Sequence, residues 1–238
     1  MSYQWLTLWG YAPDFMKAAW LTLQVTMLSF ALAIALGLAT AVAGVSPLRP
    51  LRFVARAYVE VIRNTPVLLQ IFIVFFGFPS AGISLNAYWA GVIALGLNVG
   101  AYLSEVFRAG MASVPRGQIE AAGILGLSPA QIFVSVVLPQ AARAVYPAIV
   151  NYLIQLLLGT SLLSAIALPE LTGTATVINA RTLLYIQTFA VTMVVYLVLS
   201  NLLSWLADQL GARIFHPPVA ARRRTGFGKL TMRRVNRA

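Results

Sequence analysis

The sequence predicts an all-α protein that crosses a membrane several times. Of its 238 residues 60% are hydrophobic and only 10% are charged, and the apolar residues fall in long unbroken runs. Soluble globular proteins carry about 25% charged residues. A bilayer core of about 30 Å takes roughly 20 apolar residues per spanning helix. Within lipid the backbone must satisfy its own hydrogen bonds, which leaves helices or closed barrels. Continuous rather than alternating apolar runs select helices.

Five spans fit, at about residues 18–45, 57–78, 87–109, 144–168 and 183–210. The first run is too long for the core of a cleaved signal peptide and has no basic leader, so it reads as a retained span. Ser46-Pro47 closes it. Pro66 lies inside the second run and should bend it, freeing a carbonyl near Arg63 and Asn64. Pro79-Ser80-Ala81-Gly82 separates the second span from the third, and Leu168-Pro169 closes the fourth. Residues 1–216 form the membrane domain and 217–238 a basic tail. No internal repeat of the kind found in many secondary transporters is visible. Five spans are few to enclose a solute path, so a dimer is expected.

The formal charge of +11 is concentrated at one end. Arg222, Arg223, Arg224, Lys229, Arg233, Arg234 and Arg237 sit in the tail; without them ten basic residues face six acidic ones, a balance of +4. A basic tail beside a span reads as a topology anchor near anionic lipid, not as a nucleic-acid surface. Arg49, Arg52 and Arg56 follow the first span, Arg108, Arg116 and Arg143 lie between the third and fourth, and Arg213 follows the fifth. The opposite connections hold only Lys17 and Arg181. By the positive-inside rule the N-terminus is outside and the C-terminus cytoplasmic. The absence of cysteine excludes disulfides and thiolate metal sites. The lone His216 lies beside two prolines in the tail. No catalytic, metal or cofactor site is expected in this chain.

The loop at 113–139 carries the most detail. Pro115 can open a short helix, Glu120 suits its early part, and Gly126 suits the position past its end, where positive φ is wanted. Ser128-Pro129-Ala130-Gln131 reads as a capping box opening a second helix. Ala121 and Ala122 are small enough to let a partner surface approach the backbone. Two short helices joined at Gly126 and lying on the cytoplasmic face follow; an ordinary amphipathic connection would share these features.

The run Glu120-Ala121-Ala122, three residues, Gly126, and then Val136-Val137-Leu138-Pro139 resembles the "EAA" loop of ABC importer permeases, departing only at Val136, where Ile is usual. The resemblance implies a type I ABC importer permease fold and a coupling helix, made of Glu120, Ala121, Ala122, Gly126, Leu138 and Pro139, that docks on a separate ATPase. ATP and Mg would then belong to that partner. The one Gly-Lys pair here, Gly228-Lys229, lacks the other elements of a phosphate loop.

Further stretches are similar to permeases of polar amino acids: 63–70 (Arg63-Asn64-Thr65-Pro66 through Gln70), 101–110 around Glu105, and Thr160-Ser161-Leu162 followed by Pro169-Glu170-Leu171-Thr172. Asn64 stands where Gly is usual, and Leu158-Gly159 replaces the charged or polar residues common before Thr-Ser-Leu. The resemblance implies a second permease chain, identical or different, two ATP-binding subunits, an extracytoplasmic solute-binding protein and an amino-acid substrate.

Within the spans, charges usually pair or line a cavity. Glu60 and Arg63 are three apart, as are Glu105 and Arg108, so each can form an intrahelical pair or hold a zwitterionic substrate. Asn151, Gln155 and Gly159 recur every four residues, continued by Thr160, Ser161 and Ser164. These, with Gln70 and Asn98, read either as interhelical glue or as pathway lining. A passive channel subunit would need no ATPase-docking loop. A proton-coupled carrier would need an unpaired carboxylate at mid-membrane, whereas Glu60 and Glu105 each have an arginine within one turn.

Overall fold

The computed structural model describes residues 2–215; the expectations placed on His216 and the basic tail lie outside the described residues. The chain runs α1 (Ser2–Trp9), α2 (Ala12–Val45), α3 (Arg49–Arg63), α4 (Val67–Phe72), α5 (Ala87–Ala112), α6 (Arg116–Ile124), α7 (Pro129–Ile132), α8 (Leu138–Gly159), α9 (Leu171–Thr182) and α10 (Tyr185–Ile214). A π turn at Ile73–Gly77 and a 3-10 turn at Phe78–Ala81 extend α4; a π turn at Phe133–Val137 joins α7 to α8, and a 3-10 turn at Thr160–Ile166 extends α8. Among the described residues four helical stretches are long and apolar enough to cross a membrane: Ala12–Val45, Ala87–Ala112, Pro129–Ile166 and Tyr185–Ile214. The bent pair Arg49–Arg63 and Val67–Ala81 makes a fifth if it is taken as one span.

α5 is the central post, with 61% of its apolar window buried against 17–33% for the other three. Its glycines allow this. A Cβ on Gly96 would meet Leu32, and one on Gly100 would meet Leu36 and the Ala33 carbonyl, while Gly37 of α2 faces Leu103 and Phe107. The numbers rise together, so α2 and α5 run parallel along a seam of small residues, where dispersion contacts hold helices together in lipid. α8 packs on the other side in the opposite sense: Gly110 lies against Ala141 and Val145, and Tyr102 stacks on Tyr152 at 5.7 Å.

The second span is not one rod. The chain breaks at Asn64-Thr65-Pro66 and turns by 111°. Pro66 cannot donate into the helix, and Asn64 donates its side-chain amide back to the Glu60 carbonyl (2.8 Å), ending α3 there. Gln70 then accounts for the freed groups. It is 8% exposed, its Nε2 donates to the Ile62 carbonyl (2.8 Å) and to the Thr65 hydroxyl (2.8 Å), and its Oε1 accepts from Asn98 Nδ2 of α5 (3.0 Å). So the expected bend is present, but α3 starts at Arg49, earlier than the 57 read from the sequence, and both halves meet α5, Tyr58 of α3 donating its hydroxyl to the Leu97 carbonyl (2.6 Å).

The fourth span also starts earlier than 144. Pro129–Ile166 is continuous, so the second of the two expected loop helices is the first turn of this span. Pro139 and Pro147 lie inside it without ending it. The π turn just before Pro139 already departs from the i→i+4 pattern, so the missing N–H falls where the ladder is re-set. α1 and α9 are further helices that the apolar pattern does not announce.

Candidate functional site: the coupling loop and the polar face

The loop between the third and fourth spans forms a protruding corner. α6 ends at Ile124 and Leu125 caps it; Gly126 takes φ +82, and its N–H donates to the Gly123 carbonyl (3.0 Å), while the Leu127 N–H reaches back to the Ala122 carbonyl (3.2 Å). This reversal satisfies the last carbonyls of α6 and favours glycine. Ser128 and Gln131 form the reciprocal capping box: the Ser128 N–H donates to Gln131 Oε1 (2.8 Å), and the Gln131 N–H donates to Ser128 Oγ. Gln140 of α8 donates to Gln118 Oε1 (2.7 Å) and bridges the base of the corner. Ile124 and Leu125 at the tip are 88% and 78% exposed. Glu120 and Ala121 are exposed beside them, as are Leu138 and Pro139 further on. Ala122 differs from expectation. It is 6% exposed and faces this chain, so Ala121 alone of the pair offers backbone access to a partner.

A second cluster lies where α3 meets α5. Arg63 does not pair with Glu60 among the described residues; the i,i+3 reading is corrected here. Its Nη1 sits 4.0 Å from Glu105 Oε2 on α5, and its guanidinium lies 5.4 Å from the centre of the Tyr102 ring. Glu60 instead accepts from Asn64 Nδ2 (3.0 Å). The Glu105–Arg108 pair forms as expected, with Arg108 Nε donating to Glu105 Oε1 (3.2 Å). Tyr102, unremarked in the candidate set, is sandwiched between Arg63 and Tyr152 of α8. It lies three residues before Glu105 on one helix face, and that spacing was its only signal. Asn151 and Gln155 are exposed on α8 on either side of Tyr152.

The remaining candidates separate. Gln70 and Asn98 are bonded to each other and to the α3–α4 break, which makes them interhelical glue. Thr160 is 0% exposed and donates to the Leu157 carbonyl (2.7 Å), so it lines no open path. Ser161 donates to the Leu158 carbonyl (2.7 Å) and Ser164 to the Ser161 carbonyl (2.7 Å). Ser161 borders an open groove of about 370 Å³ shared with Leu158, Thr172, Phe189, Met193 and Tyr196.

Glu170 organises that region. It is 0% exposed and caps α9, accepting from the N–H groups of Thr172 (2.9 Å) and Gly173 (2.8 Å) and from the Tyr196 hydroxyl of α10 (2.7 Å). Burial pushes its carboxyl above the ordinary value, against the pull of those three donors. The Leu171 N–H next door donates to Thr22 of α2 (3.2 Å). Glu170 and Tyr196 were missed as organising residues, because glutamate is not among the preferred N-cap residues.

Residues 6–216 match the family described as binding-protein-dependent transport system inner membrane component. The chain belongs to this family. As such a component it is a multi-pass inner membrane protein and a permease subunit of an ABC importer. It is 42% identical over 174 residues to the L-cystine transport system permease protein TcyB of Bacillus subtilis, covering 73% of this chain and 74% of that one. The arginine transport system permease protein ArtQ of the same organism is 34% identical, covering 85% and 93%. A solved structure described as an amino acid ABC transporter with histidines superposes with TM-score 0.82 at 33% identity, covering 88% of this permease and 98% of that chain. The inward-facing MetNI methionine ABC transporter shares the fold, with TM-score 0.69 at 20% identity over 84% and 96%.

Proposed function

We infer that this chain is the membrane-spanning subunit of an ATP-driven importer that carries an amino acid into the cell. Its partners are a second permease chain, two ATP-binding subunits that hold ATP and Mg, and an extracytoplasmic solute-binding protein. The observation that carries the reading is the corner at Gly126. Ile124 and Leu125 are apolar and almost fully exposed at the end of a capped, braced hairpin of helices, a shape suited to insertion into a groove on another protein. The relatives named above carry cystine or arginine, both α-amino acids, which supports that substrate class.

The corner faces the cytoplasm in this reading, because Arg108, Arg116 and Arg143 flank it, and the N-terminus is then outside. The exposed polar face of Arg63, Tyr102, Glu105, Arg108, Asn151 and Gln155 lines the solute path beside the second permease chain. Opposite charges on one face suit the carboxylate and ammonium of a zwitterion. The chain itself does no covalent chemistry. Glu120→Lys and Gly126→Pro should each uncouple ATP hydrolysis from uptake while the chain stays in the membrane at normal levels; unchanged uptake in either would remove the coupling assignment.

A further inference from the structure

α3 has a structure of its own that the transport reading does not use. Arg49, Arg52, Arg56, Glu60 and Arg63 follow one another at intervals of three or four residues and so form a single stripe along the helix. Glu60 and Arg63 are engaged at its far end with Asn64 and Glu105. Arg52 donates to the carbonyls of Ser46 (2.8 Å) and Pro47 (3.3 Å) and holds the corner between α2 and α3. Arg49 and Arg56 are exposed and have no carboxylate partner among the described residues. Beside the stripe, Phe53, Val54 and Val61 are 74%, 62% and 60% exposed.

The orientation of α3 decides what meets these two surfaces. The stretch after Pro66 packs along α5, with Gln70 at Asn98 and Ile71 and Val74 in one cluster with Ala90 and Ala94. A turn of 111° therefore lays α3 across the bundle, close to the membrane plane. It does so at the end where α2 and the parallel α5 both finish. A short helix lying in that plane, apolar on one side and cationic on the next, has the form of an interfacial helix, with its apolar side in the acyl boundary and its charges among headgroups.

We propose that α3 is a binding site for anionic phospholipid, with Arg49 and Arg56 holding the headgroup phosphate and Phe53, Val54 and Val61 lying against the acyl chains. A neutral or cationic surface would leave the two arginines without countercharge, whereas a phosphate accepts their fork of donors. The proposal rests on the membrane location of the chain and not on its substrate or its ATPase.

The test uses the purified full chain in neutral detergent, titrated with phosphatidylglycerol or phosphatidylcholine, with bound lipids counted by native mass spectrometry. The basic tail is present in every sample. An arginine near an anionic surface contributes roughly fivefold in affinity. The double variant Arg49→Ala/Arg56→Ala should therefore bind phosphatidylglycerol roughly 25-fold more weakly, with phosphatidylcholine binding unchanged, and Arg49→Lys/Arg56→Lys should keep most of the affinity. Equal phosphatidylglycerol binding by the alanine variant and the wild type overturns the proposal. So does an equal loss in the lysine variant, which would mean the arginines act on packing, or a loss of co-purifying protein without loss of lipid, which would make α3 a protein interface. If the double variant does not fold, the single variants carry the same comparison. The assay involves neither uptake nor ATP, so failure here leaves the importer reading standing.

Discussion

Arg63 at the end of α3 lies 4.0 Å from Glu105 on α5, and Glu105 also holds Arg108 one turn further on. One carboxylate thus ties the corner of the broken second span to the last turns of the helix that leads into the coupling loop. Both members of the Arg63–Glu105 pair are partly exposed, so its contribution to stability is about 0.2–1 kcal/mol. In a double-mutant cycle, Arg63→Gln and Glu105→Gln should each lower uptake, and the double variant should be no worse than Glu105→Gln alone. Additive losses would show that the two residues act separately.

Gln70 serves the break itself. Gln70→Ala leaves the Ile62 carbonyl and the Asn98 amide short of a partner in a partly buried place and removes one bond from the Thr65 hydroxyl, and should cost about 1–3 kcal/mol. Thermal unfolding in detergent measures this, and Asn98→Ala should cost less because Gln70 keeps its other bonds.

At Gly126 the backbone conformation alone is decisive, since nothing lies within 4 Å of an added Cβ. Asparagine tolerates φ +82 best, alanine strains it by about 1–2 kcal/mol, and proline cannot adopt it. Coupling of ATP hydrolysis to uptake should decline in that order.

Gly110 is limited by space. An added Cβ would come within 2.2 Å of Val145 Cγ1 and 3.2 Å of the Ala141 carbonyl. Gly110→Ala should destabilise the α5–α8 contact by about 1–3 kcal/mol. Adding Val145→Ala removes the nearer clash and should restore part of the loss, read again by thermal unfolding.

Glu170 gives a pH dependence. Its folded carboxyl titrates above the ordinary value, so the folded state keeps a proton that the unfolded chain has lost. The stability is full below the ordinary carboxylate pKa and falls as pH rises from there through the folded value. The unfolding temperature of the wild type should drop across that window, and Glu170→Gln should flatten the drop. Glu170→Ala should cost about 1–3 kcal/mol below that window and less above it, because the α9 N–H groups and the Tyr196 hydroxyl lose their acceptor.

Much of this was legible in the chain. Run length alone marks the helices that cross, and Gly126 with the Ser128–Gln131 box spells the loop corner, because these depend on neighbours in sequence. Pro66 announces a bend but not its size, which Gln70 and Asn98 set from two different helices. The Glu60–Arg63 pairing failed because spacing permits it but does not require it. Asn64 reaches Glu60 first, and Glu105 offers Arg63 a partner 42 positions away. Ala122 and Thr160 look available in sequence, and only packing turns them inward. α9 carries no apolar period, and its cap depends on a tyrosine 26 residues further on.

The most direct test of the importer assignment is to solubilise membranes gently, capture this chain, and assay the co-purifying proteins for ATP hydrolysis. A stoichiometric nucleotide-binding subunit, lost when Gly126→Pro is introduced, is the predicted result. A chain that purifies alone and still moves solute in vesicles would contradict it.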